Sequence, residues 1–224
     1  MALTRQDVID AALRLLDAEG LDRLTLRRLA KELGISAPTL YWHVRDKRQL
    51  LDLMAEAMVV KEARRSPLPE TAEWWQRVEA QMRRRYQAMI TYRDGPRVVA
   101  GNRPTEAMLP HIDRMLELWT KAGFPPGEAL VTIWSFGNFI IGSALEHQAE
   151  LERMEAAVAA GRERRNFDEL PYPTLRDAVT AVRGQQRISS FERGLALMIA
   201  GLRQRQAELL AEKAKAGQPP GLTE

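Results

Sequence analysis

Between residues 23 and 48 the chain carries Arg23, Arg27, Arg28, Lys31, Arg45, Lys47 and Arg48 against only Glu32 and Asp46. A small unit with that excess of cations attracts phosphate. A solvated basic face is the ordinary alternative, because protein surfaces routinely carry such charges. The segment that the cations flank tells against it: Ala37 to Val44 offers Thr39, Tyr41 and His43, polar groups able to reach base edges and phosphates. Leu40, Trp42 and Val44 have the opposite character and are expected to include the core anchors. By side-chain chemistry Arg27 and Arg28 can read guanine or hold phosphate, whereas Lys47 beside a helix start pairs most simply with phosphate.

Three short helices are needed to present that segment. From Thr4, a plausible N-cap, Val8, Ala11, Ala12, Leu15 and Leu16 fall at helical spacing, and Gly20 stops a first helix over about 5–19. Thr25 caps a second, with Leu26, Leu29, Ala30 and Leu33 on one face and Gly34 at its end. Ser36 then caps a third helix over 37–44, with Pro38 in the first turn, where its missing N–H is harmless. Helix, glycine-bearing turn and helix over 25–44 make a helix-turn-helix. A fourth helix from about Asp46 carries Leu50, Leu51, Leu53, Met54, Ala57 and Met58 and fades at 61–65; Ser66-Pro67-Leu68-Pro69 breaks the chain after it.

The remainder also keeps helical period, with no sustained alternation to argue for a sheet, so the expected fold is all-α. Trp75, Val78, Met82, Tyr86 and Met89 mark a helix ending at Tyr92-Arg93-Asp94-Gly95-Pro96, and further helices are expected over about 106–122, 128–149, 174–182 and 190–213. Residues 150–173 turn charged and proline-bearing, with Arg162-Glu163-Arg164-Arg165, and read as a mobile connection; the tail from Ala216 to Gly221 reads as disordered. The expected organisation is a helix-turn-helix DNA-binding unit over 1–48, a connecting helix over 49–66, a larger helical unit over 67–213, and a tail over 214–224.

Composition narrows the function classes. The 224 residues hold 33 Lys and Arg against 30 Asp and Glu, with 45% hydrophobic and 28% charged residues, an ordinary globular balance. There is no cysteine, which removes disulfides, thiolate metal sites and cysteine nucleophiles. The first residues lack the apolar stretch of a signal peptide, and the longest uncharged run, Ala129 to Leu145, is shorter than the ~20 residues that a membrane span needs. A cytoplasmic protein with no membrane partner is expected. The histidines are His43, His111 and His147; no Ser/His/Asp set, metal-ligand set or phosphate-cradling glycine loop declares itself, so no catalytic residue, metal or cofactor is assigned.

The run Leu24-Thr25-Leu26-Arg27-Arg28-Leu29-Ala30, then Leu33-Gly34-Ile35-Ser36, then Pro38-Thr39-Leu40-Tyr41-Trp42-His43-Val44 and Lys47, resembles the DNA-binding domain of the TetR family of transcriptional regulators. The resemblance implies a recognition helix around 37–44 in the major groove, with Pro38, Thr39, Tyr41 and His43 facing DNA and Thr25, Arg27 and Lys47 at contacting positions. With Ala37 and Trp42 on the same helix and Arg28 beside Arg27, the candidate DNA-binding set is Thr25, Arg27, Arg28, Ala37, Pro38, Thr39, Tyr41, Trp42, His43 and Lys47. Beyond it, Tyr92-Arg93-Asp94-Gly95, Gly101-Asn102-Arg103-Pro104 and Gly142-Ser143-Ala144-Leu145-Glu146-His147-Gln148 are similar to the tetracycline repressors within that family. That likeness implies a homodimer paired through the helices at about 128–149 and 190–210. It also implies a repressor of a palindromic operator, released when a small-molecule inducer tilts the fourth helix.

The ligand residues depart from the pattern. The metal-binding histidine of those repressors matches Val99, which cannot ligate Mg²⁺. Their drug-holding asparagine and phenylalanine match Gln81 and Arg85, a histidine ending the fourth helix matches Ala63, the loop threonine matches Asn102, and only Glu146 is retained. The candidate ligand set is Gln81, Arg85, Val99, Asn102, Met115, Trp119, Trp134, Asn138 and Glu146. Trp119 and Trp134 are expected to fill core, as large aromatics are highly buried on average. Arg85 sits on a solvated face beside Arg83 and Arg84, or points inward to favour an anionic or phenolic ligand. Asn138 is the clearest polar pointer in an apolar run, although asparagine also sets register at dimer interfaces. Two other functions compete: a Mg-tetracycline repressor with a rebuilt site, and a ligand-sequestering or enzymatic helical protein that keeps a helix-turn-helix.

Overall fold

The computed structural model describes residues 3–65, 72–161, 171–184 and 189–216. The proline break at 66–69, the Arg162–Arg165 run and the tail after Ala216 lie outside them. Among the described residues there is no strand, and the chain is all-α, as its periodicity requires. The helices are α1 (Arg5–Glu19), α2 (Leu26–Leu33), α3 (Ala37–Tyr41), α4 (Lys47–Arg65), α5 (Trp74–Ile90), α6 (Gly95–Val99), α7 (Leu109–Lys121), α8 (Pro126–Ala159), α9 (Pro173–Gly184) and α10 (Ser190–Ala216), with a 3₁₀ turn over Glu106–Met108 before α7.

Capping chemistry starts and stops the first three helices. At α1 the Thr4 hydroxyl accepts from the Asp7 amide while the Asp7 carboxylate accepts from the Thr4 amide. Those bonds to the charged form hold the Asp7 carboxyl below its ordinary range. Thr25 and Ser36 cap α2 and α3 through their hydroxyls. Gly34 ends α2 at φ 65°, a left-handed conformation that favours glycine.

Four departures from the expected elements have physical causes. α3 stops at Tyr41, three residues short of Val44, and the chain turns there so that Leu40 and Val44 can both enter the core. α6 forms where a turn was expected: Asp94 takes φ 56°, and Pro96 stands in the first turn. Any side chain at Gly95 would run into the Met89 carbonyl oxygen, so this close approach needs glycine. α8 continues to Ala159 because 150–159 is rich in alanine and glutamate, strong helix formers, and its charge was read as a connection. At 34 residues, α8 is long and apolar enough to cross a membrane, against the expectation from its uncharged run; here Ala129, Ile133, Phe136, Ile140 and Ala144 pack into the core.

Two cores result. Val8, Ala12, Leu16, Leu24, Leu29, Leu40, Val44, Leu50, Met54 and Met58 form the first, together with Ala88 of α5 and Val98 of α6. α4 is thus part of the N-terminal core as well as the link to the rest. The second joins Val78, Met82, Tyr86, Met115, Trp119, Phe124, the inner face of α8 and Phe191, Leu195 and Ile199 of α10. Tyr86 stacks on Phe191 at 3.8 Å, and Arg205 ties α10 to α8 through Glu128 at 2.8 Å.

Candidate DNA-reading face and ligand site

α3 has two opposed sides. Leu40 and Val44 are sealed in the core, while Tyr41 is 54% and Trp42 86% exposed. Trp42 is therefore not a core anchor: it follows α3 as a bare apolar ring on the surface. Ala37, Pro38 and Thr39 are exposed beside it, His43 is half-buried, and Arg27 and Lys47 are exposed at the rim. The Thr39 hydroxyl lies 2.8 Å from that of Ser36, and the Thr25 hydroxyl accepts from the Arg28 amide, so both caps also fix the helix ends that carry this face.

Arg28 behaves differently from Arg27. Its guanidinium meets the Glu19 carboxylate at 2.5 Å and that of Glu32 at 2.9 Å, which fastens α2 to the end of α1. These bonds raise its pKa above the ordinary value. The expectation that Arg28 reads guanine or phosphate is corrected: its donors are engaged inside the unit.

The connection to the second unit is a set of polar contacts that the sequence did not single out. The Leu21 amide donates to Asp94 Oδ2 at 2.8 Å and the Arg93 amide to Asp17 Oδ1 at 3.0 Å. Arg97 bridges Asp22 and Asp94, each at 2.8 Å. On the α4 side, Arg48 donates to the Gly101 carbonyl, Asn102 Nδ2 donates to the Leu51 carbonyl, and the Thr105 amide donates to Glu56, while Lys61 pairs with Asp10 to hold α4 against α1. The Asp-Gly-Pro turn was the available signal, but a turn motif does not show what its aspartate will hold.

The nine candidate ligand residues do not form one pocket within the chain. Gln81 and Arg85 share a face of α5, Val99 packs against both cores, Asn102 is tied to α4, and Met115 is buried in α7. Trp119 is wholly buried among Trp74, Phe124 and Phe136, as core. Trp134, expected in the core, is 60% exposed, and Asn138 and Glu146 are exposed with it on the outer side of α8. The Glu146 carboxylate stands 3.8 Å from Arg153. Trp134 is corrected as a core residue because α8 is apolar on two sides and only one side faces this chain's core; Asn138 and Glu146 share that outer side, where an asparagine can set register at a dimer interface. Grooves of about 730 Å³, between α4 and residues 103–107, and about 260 Å³, between α8 and α10, both lie away from Arg85.

Buried polar atoms mark a different place. Gln81 Oε1 and Arg84 Nε and Nη2 are out of solvent with no hydrogen-bond partner. Burial also pushes the Arg85 guanidinium below its ordinary pKa, and none of the described carboxylates pairs with it. The expectation of a solvated arginine run fails: Arg83 is paired with Glu79 and Glu192, and Arg84 and Arg85 are both desolvated. His111 on α7 is exposed at the surface, and partial desolvation together with the charges of Arg114 and Arg85 holds it below the ordinary histidine range. Among the described residues no group of three or more His, Asp or Glu converges as a metal site.

Comparison with known proteins fits this architecture. A family model described as bacterial regulatory proteins, tetR family, matches residues 8–54, and one described as tetracyclin repressor-like, C-terminal domain, matches residues 66–206. The chain belongs to the TetR family. This regulator is 39% identical over 202 residues to the class D tetracycline repressor of Escherichia coli, covering 89% of this chain and 88% of that one. Among solved structures, it resembles a point variant of TetR from Acinetobacter baumannii AYE in complex with minocycline at a TM-score of 0.76 and 31% identity, covering 92% and 96% of the two chains. TetR class A in complex with 5a,6-anhydrotetracycline and magnesium gives 0.64 and 34% identity, covering 90% and 99%. The regulator is thus a TetR-family, helix-turn-helix, DNA-binding transcription factor.

Proposed function

We propose that this regulator is a repressor that binds a palindromic operator as a homodimer and leaves it when a small molecule enters the helical unit. The observation that carries the DNA half is α3: a helix with Leu40 buried and Tyr41 and Trp42 bare, flanked by Pro38, Thr39, Arg27 and Lys47. Two such helices must lie about 34–36 Å apart to enter successive major grooves on one side of a duplex. The dimer half rests on the outer sides of α8 and α10, where Val131, Trp134, Leu145, Leu197 and Leu210 are exposed large apolar residues. Exposed apolar residues on both helices call for a partner, and a second copy supplies one symmetrically.

The inducer acts through the junction. Movement of the segment 100–105 pulls on α4 through Leu51, Asp52 and Glu56, while Asp94 and Arg97 hold the α1–α2 turn against α6. A tilt of α4 then changes the separation of the two reading helices. By linkage, operator DNA weakens inducer binding by the same factor, with a coupling of typically ~1–3 kcal/mol. The Mg-tetracycline reading finds no support in the donor set: Val99 offers no ligand atom, and the one retained carboxylate, Glu146, cannot build a Mg²⁺ site alone. Mg-tetracycline is therefore expected to leave the operator complex intact.

The test is operator binding by the full-length protein, using a duplex recovered from random sequence by selection. Tyr41→Ala and Lys47→Ala should each weaken binding with unchanged thermal stability, and affinity should fall steeply with salt as phosphate contacts release counterions. Full affinity in both variants, or a flat salt response, overturns the reading.

A further inference from the structure

Among the described residues the regulator holds a desolvated cation without a counter-ion. Three other arginines are matched: Arg28 with Glu19 and Glu32, Arg83 with Glu79 and Glu192, Arg205 with Glu128. Arg85, half-buried on the same helix as Arg83, has no such partner among the described residues, and desolvation pushes its guanidinium below the ordinary pKa. One helical turn earlier on the same face of α5, Gln81 presents a buried Oε1 with no donor to meet it. Next to Arg85, Arg84 leaves Nε and Nη2 buried and unbonded, and Glu62 is the acid whose charge it feels. From α7, His111 lies within reach of the charge on Arg85, and Met115, one turn further on, is buried apolar wall.

A guanidinium cannot shed its proton to escape this situation. An isolated charge in the interior is retained only at a cost unless something pairs with it. The described groups facing Arg85 offer N–H donors in excess and an apolar side, but no negative charge. We infer that the α5–α7 site takes an organic anion, a carboxylate or a comparably delocalised oxyanion on an apolar body, with Arg85 as its counter-ion. A planar guanidinium presents two parallel N–H donors to such a group. Gln81 then orients the ligand through a hydroxyl or N–H donor. A neutral molecule of the same shape leaves Arg85 unpaired and is rejected.

This inference rests on the ligand-responsive reading, and the two are separable. The probes are naphthalene-1-carboxylate and naphthalene-1-carboxamide, titrated calorimetrically into the full-length protein at pH 7.5. The acid should bind at least tenfold more tightly than the amide. In Arg85→Met that ratio should collapse towards one, and Arg85→Lys should recover part of it. Melting of the ligand-free Arg85→Met protein gives a second readout: removing an unpaired buried charge should raise Tm. Equal or undetectable binding of both probes to the parent protein, an unchanged ratio in Arg85→Met, or a lower Tm in that variant overturns the inference. Operator binding is measured apart from these titrations. Its failure would overturn the regulator reading and leave the acid-to-amide ratio standing.

Discussion

Trp42 and Leu40 stand two residues apart, yet opposite consequences are expected from truncating them. Trp42 is 86% exposed and Leu40 1%. Trp42→Ala removes almost no packing, so its effect on stability should stay within about 0.5 kcal/mol, the range of ordinary surface changes. An aromatic side chain offers about 150–250 Å² for contact. If a groove covers about 80 Å² of it, the loss at ~25 cal/mol per Å² is about 2 kcal/mol. That is roughly a 30-fold weaker half-site, at about 1.4 kcal/mol for each factor of ten. Leu40→Ala leaves a cavity under α3 and should cost about 2.5–5 kcal/mol of stability. Fluorescence anisotropy on operator duplex, paired with thermal melting of each variant, separates the two effects. A Trp42→Ala protein that melts as early as Leu40→Ala, or that binds within twofold of the parent, refutes the assignment of the two sides of α3.

Two further outcomes follow from the junction and from α7. Asp94→Ala deletes the acceptor for the Leu21 amide and for Arg97 and places alanine at φ 56°. The bond from the Leu21 amide to a charged acceptor contributes ~1.5–3 kcal/mol and the half-exposed Arg97 pair less than about 1 kcal/mol, so a loss of about 2–4 kcal/mol in urea unfolding is expected; a loss under about 0.5 kcal/mol, the range of ordinary surface changes, would show that the contact is idle. His111 is depressed below its ordinary pKa of 6.5 in the fold, so the unfolded chain takes up that proton first. Stability should therefore be insensitive to this group above about pH 7.5 and decline as pH falls through about 6.5, in proportion to the protons bound on unfolding. His111→Gln should flatten that decline, and superimposable pH profiles for the two proteins would exclude it.

The sequence was most legible where local chemistry decides structure. Thr4, Thr25 and Ser36 mark helix starts and Gly34 a helix end because capping depends on a few neighbouring atoms. Periodicity told which residues share a side but not what that side faces, and this is why Trp42 and Trp134 were expected inside. α8 has apolar residues on two sides, and only the arrangement of α5, α7 and α10 selects the inner one. The arginine run 83–85 illustrates the same limit at the candidate ligand site. Identical side chains in consecutive positions point in different directions, one towards Glu79 and Glu192 and one towards no described acid. α6 and the Asp94–Arg97 contacts depend on partners about 75 residues away in the chain, beyond any local pattern.

The five tryptophans are divided among the surfaces and the interior in a way that supplies optical reporters. Trp42 is the sole indole before residue 74, so quenching or a blue-shifted emission on adding duplex belongs to the reading head. Trp134 reports from the outer side of α8, where self-association would dry it. Trp119, sealed beside Trp74, keeps a constant interior signal until the molecule unfolds. Single tryptophan-to-phenylalanine replacements would therefore let one unlabelled sample follow docking, pairing and melting as three distinct spectral events.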